Sequence, residues 1–347
     1  MKKYLILFAI IVTSFAVNAQ NKSDKEPYLT RTFPSETINS VVSKTSGGNI
    51  SVTAVNPSQS RVEVFVWQNG HWNNALSNDE LKTKIANYYD LDISVNNGKL
   101  TATASPKDRI TNWKGTLSFS FKIYVSENVS TKLETSGGNI VLTGLSGDQD
   151  FTTSGGNLDL NGLSGKVKGR TSGGNIYLQN CKNDLDLTTS GGNIDAQNST
   201  GNITVTTSGG SIKLDKLSGN IKAQTSGGNI EGVTIDGILS AHTSGGNVSL
   251  LALNCSLKTS TSGGNIQVSV NKPGNYISIS NSAGKVDLIL PKNTGMDLKL
   301  SAMKISTENL ENFSGNNSKD EINGTVNGGG IPVTVEVNGG KINLAFD

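Results

Sequence analysis

Aromatic residues are scarce in this chain, 5% of 347 positions, so aromatic packing cannot carry its core. Histidine is scarcer still: His71 and His242 lie in different parts of the chain, and catalysis built on paired imidazoles has little to draw on. The formal charge is only +2, with Lys and Arg spread along the chain. That excludes the basic stripe of a nucleic-acid binder. After the first twenty residues no apolar run approaches the roughly 20 residues a membrane-spanning helix needs. No His/Cys/Asp/Glu spacing suggests a metal site, and no motif implies a cofactor.

The two cysteines, Cys181 and Cys255, fall four repeats apart in the pattern described next. At about 4.8 Å per coil, the spacing of hydrogen-bonded strands, they would sit roughly 19 Å apart, too far for a disulfide. Two free, packed thiols are expected. Residues 1–19 have the layout of a cleaved export signal: Lys2 and Lys3, an apolar run from Tyr4 to Val12, then small residues ending Val17-Asn18-Ala19. With no cysteine near that point a lipid anchor is not expected. The mature chain would start at Gln20 and reside in the periplasm or at the cell surface. The signal resembles those of Bacteroidota.

What the chain has in abundance is glycine, 40 residues, and 18 of them belong to nine copies of one phrase. TSGGNI or a near-copy begins at Thr45 and then, at every eighteenth position without a break, at Thr135, Thr153, Thr171, Thr189, Thr207, Thr225, Thr243 and Thr261. A fixed period over eight copies marks a repeat array rather than two domains. Counting Thr as place one, places six and eight are apolar, as in Ile140 and Leu142 or Ile176 and Leu178. Places fifteen and seventeen repeat the alternation nine residues on, as in Leu185 and Leu187 or Ile203 and Val205. Such alternation marks a half-buried strand, so each repeat holds two.

Two strands and two glycine corners per repeat predict an all-β, flattened, right-handed β-solenoid in which one repeat makes one coil, with two parallel sheets across a thin apolar core. The left-handed hexapeptide helix shares the period, but its further inward places, twelve and eighteen, are polar here. The corner residues are Gly137, Gly138 and Asn139, with Gly155, Gly156 and Asn157, Gly173, Gly174 and Asn175, Gly191, Gly192 and Asn193, and later copies. The glycine pair is expected to turn the chain through φ > 0, and the Asn column to stack as an amide ladder.

Residues 20–134 and 287–347 read as irregular coils and caps around a regular array at 135–286. The N-terminal part should contain strands near 61–66, 91–95 and 117–125. It should also carry a helix from Asn78 to about Tyr89, with Ser77 and Glu80 as a capping box, forming a lid over the end of the core. The Asn- and Gly-rich residues 311–330 read as a loop.

Candidate chemistry is sparse. Outward acids at Asp148, Asp150, Asp184 and Asp186 alternate with Lys166 and Lys168 in successive coils, which reads as a solvated charge checkerboard rather than a calcium site or a polysaccharide-cleaving groove. Threonine columns could suit ice, but the mid-strand outward places vary freely, as in Asp159, Tyr177, Asp195 and Lys213. All three tryptophans lie in the N-terminal insertion, and Trp67, His71, Trp72 and Trp113 form the candidate ligand site, where exposed aromatics could stack on sugar or anchor a protein.

The export signal, the SGGNI corners at their fixed period and the closing Asn338-Gly339-Gly340-Lys341-Ile342-Asn343-Leu344 together resemble the adhesin-type toastrack family of exported β-strand-repeat proteins, over roughly residues 40–347. The resemblance implies a non-catalytic envelope or surface protein. Its partner would be a polysaccharide or an envelope or host protein, met as a monomer. A periplasmic scaffold or envelope-stress sensor, and a polysaccharide-degrading β-helix enzyme, are the alternative readings.

Overall fold

The computed structural model describes residues 26–70, 76–108, 115–308 and 310–347; the expected export signal lies outside the described residues. Place six forms one continuous apolar column through the molecule. It runs Phe121, Ile50, Ile140, Leu158, Ile176, Ile194, Ile212, Ile230, Val248, Ile266, Val286, Ile342 and Ile305, each opposite the next in a parallel ladder and each buried. Place fifteen forms the second column on the facing sheet, with Val167, Leu185, Ile203, Ile221, Leu239, Leu257 and Ile277 in register. The chain is a two-sheet β-solenoid in which each repeat contributes one turn of core.

Gln149 enters the second column without a penalty. It is buried, yet its amide accepts from Thr131 Oγ1 at 2.7 Å and donates to the carbonyls of Val129 and Gly147. Thr259, in the neighbouring inward column between Ala241 and Ile279, has no such solution: its hydroxyl is buried without a partner. Thr259→Val removes that orphan at nearly constant shape and should raise stability by about 1 kcal/mol, read as a higher urea midpoint with unchanged slope.

The corner glycines have a reason other than the expected one. None of the TSGG glycines has positive φ. A Cβ on the second glycine would instead strike the backbone of the coil below, 1.9 Å from Gly138 O for Gly156 and 1.9 Å from Gly174 O for Gly192. The first glycine has only ordinary contacts, 3.7 Å or more in the regular coils from Gly155 to Gly227. The corner Thr is buried. Thr153 Oγ1 donates to Gly138 O at 2.8 Å and accepts from Gly156 N at 3.3 Å, a pairing repeated up to Thr261. Those buried threonines present no ice-binding face. The Asn column is a ladder of another kind than expected: each backbone N–H, not a side-chain amide, donates to the Oδ1 of the Asn below, as in Asn157 to Asn139 and Asn193 to Asn175 at 2.8 Å. Ser211 substitutes its hydroxyl at one rung.

Left-handed backbone occurs at place ten. Gly144, Gly162, Asn180, Asn198, Lys216, Thr234 and Ala252, each one full repeat from the last, have φ between 48° and 72°. Glycine and asparagine accept that conformation; a β-branched residue is strained there. Thr234→Asn should therefore stabilise by about 1 kcal/mol in a denaturant titration. An equal or lower midpoint would remove the strain argument.

Both ends of the stack are built by chain that folds back. The strands Ser40–Lys44 and Ile50–Ala54 do not end the solenoid; Lys99–Pro106 and Leu117–Val125, from the following insertion, lie outside them. At the other end the final strand, Ile331–Phe346, is threaded between Ile277–Leu290 and the earlier strands Met296–Ser301 and Lys304–Thr307. Antiparallel strands then cover most of the open edges. Arg61–Gln68 and Leu29–Thr32 do so at one end of the first sheet, Tyr89–Asn96 does so on the second, and Glu321–Val326 with Phe313–Asn317 cap the far end of the second. The last pair corrects the expected loop at 311–330. Phe313–Asn317 is almost wholly exposed, so it carries no burial alternation to mark it as a strand.

The helix Asn78–Tyr88 has the expected capping box, packs on Tyr89–Asn96 and buries Ile85. The Ser77 backbone N–H, donating to Glu80, holds that carboxyl below its ordinary pKa. Cys181 and Cys255 are free and buried, and burial raises both thiols, Cys255 to about 12.

Candidate ligand-binding faces

The tryptophan group is only partly on view. Trp67 lies half-buried on Arg61–Gln68, opposite Ser118. The end of that antiparallel pair with Leu117–Val125 is tied by Asn69, whose Nδ2 donates to Thr116 Oγ1 and whose Oδ1 accepts from Ser118 Oγ, both at 2.9 Å. His71, Trp72 and Trp113 lie outside the described residues. His242 is half-buried, pairs with Ser260 in the ladder and has its Nδ1 2.7 Å from Ser260 Oγ.

The charge columns have the expected register: Lys166 faces Asp184, and Lys168 lies between Asp150 and Asp186. None of these pairs closes to an ion pair; the bridges among the described residues are Lys44–Glu134, Arg61–Glu63 and Lys285–Asp287. Asp184 instead accepts from Asn202 Nδ2 at 2.8 Å. No group of three or more His, Cys, Asp or Glu among the described residues is placed to hold a metal ion. Nor is any described helix long and apolar enough to cross a membrane.

The first sheet carries a feature that the sequence pattern did not single out. Across four consecutive coils its outward places seven and nine are Val141 and Thr143, Asp159 and Asn161, Tyr177 and Gln179, and Asp195 and Gln197. They line an open cleft of about 210 Å³. In-register pairing stacks Asp159, Tyr177 and Asp195 in one row and Asn161, Gln179 and Gln197 in the other. Tyr177 is 42% exposed, and its hydroxyl accepts from Asn175 Nδ2 at 3.3 Å, which leans the ring towards the TSGGN corner. Asp195 accepts from Gln197 Nε2 at 2.9 Å and faces Lys213 across the ladder. Asp159 has neither aid: it forms no hydrogen bond or ion pair among the described residues, and partial burial raises its carboxyl above the ordinary range. The one signal available in the sequence was the lone aromatic, Tyr177, in an outward column that is polar from Asp159 onward apart from it.

The family profile described as Toastrack DUF4097 matches residues 167–345, 179 of the 347 positions. Among solved structures, similarity extends to "a putative cell adhesion protein" from Clostridium sporogenes, 11% identical, covering 92% of this chain and 98% of that one with a TM-score of 0.21. It extends also to "a putative adhesin" from Bacteroides fragilis, 13% identical, covering 92% and 96% with a TM-score of 0.25. Overlaps that loose carry no weight for function. No curated protein matches the chain.

Proposed function

The chain belongs to the Toastrack DUF4097 family, and from that premise we propose that it is an exported, non-catalytic binding protein of the cell envelope, engaging a polysaccharide or a protein surface. The observation that carries this reading is the contrast between places. Inward and corner residues repeat coil after coil, whereas outward residues vary and gather one exposed aromatic, an unpaired acid and free amides on one face of the first sheet. A scaffold of stacked identical coils suits display of a surface better than closure around a reacting group, because each coil touches only its neighbours.

The test is an array of glycans and matrix proteins probed with the wild type, a Trp67→Ala/Trp72→Ala double variant and Tyr177→Ala. Specific binding that one variant abolishes supports the reading and locates the surface. Silence from a folded sample across the array defeats it and leaves an internal scaffold of the envelope. Export is checked by N-terminal sequencing of the protein recovered outside the cytoplasm, with Gln20 the expected first residue.

A further inference from the structure

The geometry points to the cleft on the first sheet as a subsite for one pyranose ring of an uncharged polysaccharide, stacked on Tyr177 with Asp159, Asn161 and Gln179 as its hydroxyl partners. This deepens the binding role proposed above and rests on it.

Size comes first. Pockets that enclose a small ligand hold about 300–1,000 Å³, and this cleft of about 210 Å³ is smaller and open along the sheet. It suits one unit of a longer chain lying across the coils.

Ring chemistry comes next. The face of an aromatic ring is electron-rich, and the face of a pyranose presents C–H bonds of slight positive charge. The Tyr177 ring is exposed and oriented by Asn175 before any ligand arrives, so little ordering cost remains. The polar partners then narrow the class. Asp159 offers acceptor oxygens with no present donor, and the Gln179 side chain makes no hydrogen bond among the described residues, while the Asn161 Oδ1 already accepts from Asn180 and leaves its Nδ2 free to donate. Acceptors and donors side by side match hydroxyl groups, which do both.

Other occupants fit less well. An anionic chain would meet Asp159 and Asp195 with like charge. An apolar surface would cover amides without replacing their water hydrogen bonds. A protein epitope needs an area of roughly 800 Å² centred on apolar anchors, and here Tyr177 and Val141 are the outward apolar side chains among Asp, Asn, Gln and Thr.

The experiment is native electrophoresis through gels that contain, one at a time, dextran, mannan, arabinoxylan, alginate or glycol chitosan. The wild type is run beside Tyr177→Ala, Tyr177→Phe, Asp159→Asn and Trp67→Ala, with circular dichroism confirming each fold. The expected result is retardation by at least one of the three uncharged polymers. Tyr177→Ala should weaken it about tenfold, Asp159→Asn should weaken it less, and Tyr177→Phe and Trp67→Ala should retain it. Unchanged retardation of Tyr177→Ala overturns the subsite, as does retardation by alginate or glycol chitosan alone. Loss confined to Trp67→Ala moves the sugar site to the cap and overturns the cleft while the wider binding role stands. No retardation by any polymer also overturns the subsite, and the protein arm of the array then decides the wider role separately.

Discussion

Replacing Gly192 with alanine should cost more than about 4 kcal/mol, the severe tail of single substitutions, while the same change one residue earlier, at Gly191, should be neutral or slightly stabilising. The two glycines are adjacent, share one corner and look equivalent in sequence. At Gly192 a Cβ would lie 1.9 Å from Gly174 O, 2.4 Å from its carbonyl carbon and 2.8 Å from Asn175 N, all backbone atoms. Relief would require separating two coils that are held together by ladders on both sheets, and overpacking of that kind is not absorbed by a side-chain shift. At Gly191 the nearest atoms, Ser172 O at 3.7 Å and Gly173 O at 4.0 Å, are in ordinary contact, and the backbone is not left-handed. Alanine there loses less freedom on folding, a gain of about 0.4–1 kcal/mol. Urea melts of both variants check the pair. Equal destabilisation would mean that the corner needs glycine for its own backbone angles and not for the approach of its neighbour.

That distinction shows where sequence reading reaches its limit. A glycine needed for φ > 0 and a glycine needed for close approach are the same letter, and only the Gly138–Gly156 and Gly174–Gly192 contacts separate the two causes. The repeat period, the inward columns, the unpaired cysteines and the helix at Ser77–Glu80 were all legible, because each follows from local spacing. The left-handed column at place ten was half-legible. Its early members, Gly144, Gly162, Asn180 and Asn198, announce the conformation; Lys216, Thr234 and Ala252 adopt it only because the coils beneath impose it.

The ends were hidden for a topological reason. Nothing in the order of strands says that Ile331–Phe346 inserts beside Ile277–Leu290 rather than closing the stack. The cleft was hidden because free variation in an outward column looks like the absence of a site until Asp159, Tyr177 and Asp195 are seen stacked in register. The tryptophan group remains a proposal, with Trp67 placed and its companions outside the described residues.

A proline at Ile203 tests the solenoid as a whole. Ile203 is fully buried and sits between Leu185 and Ile221 in the second sheet, on a strand paired along both edges. Proline there removes a backbone donor from an interior ladder and deletes most of an aliphatic core side chain at once. Losing a large buried aliphatic side chain alone costs about 2–5 kcal/mol, so the combined loss should exceed about 5 kcal/mol. Because a coil is supported only by its neighbours, the damage should act as a fracture. The coils before residue 203 keep the cap with the helix, and those after it keep the cap built around Ile331–Phe346. Heat denaturation should then fall in temperature and divide into two transitions. Ile203→Val, which keeps the donor and costs about 0.5–1.5 kcal/mol, should shift a single transition slightly. If Ile203→Pro left the circular dichroism and the melt unchanged, residue 203 would not lie in a ladder and the solenoid itself would be wrong. A single lowered transition would keep the solenoid, but it would show that the two capped ends cannot stand without the coils between them.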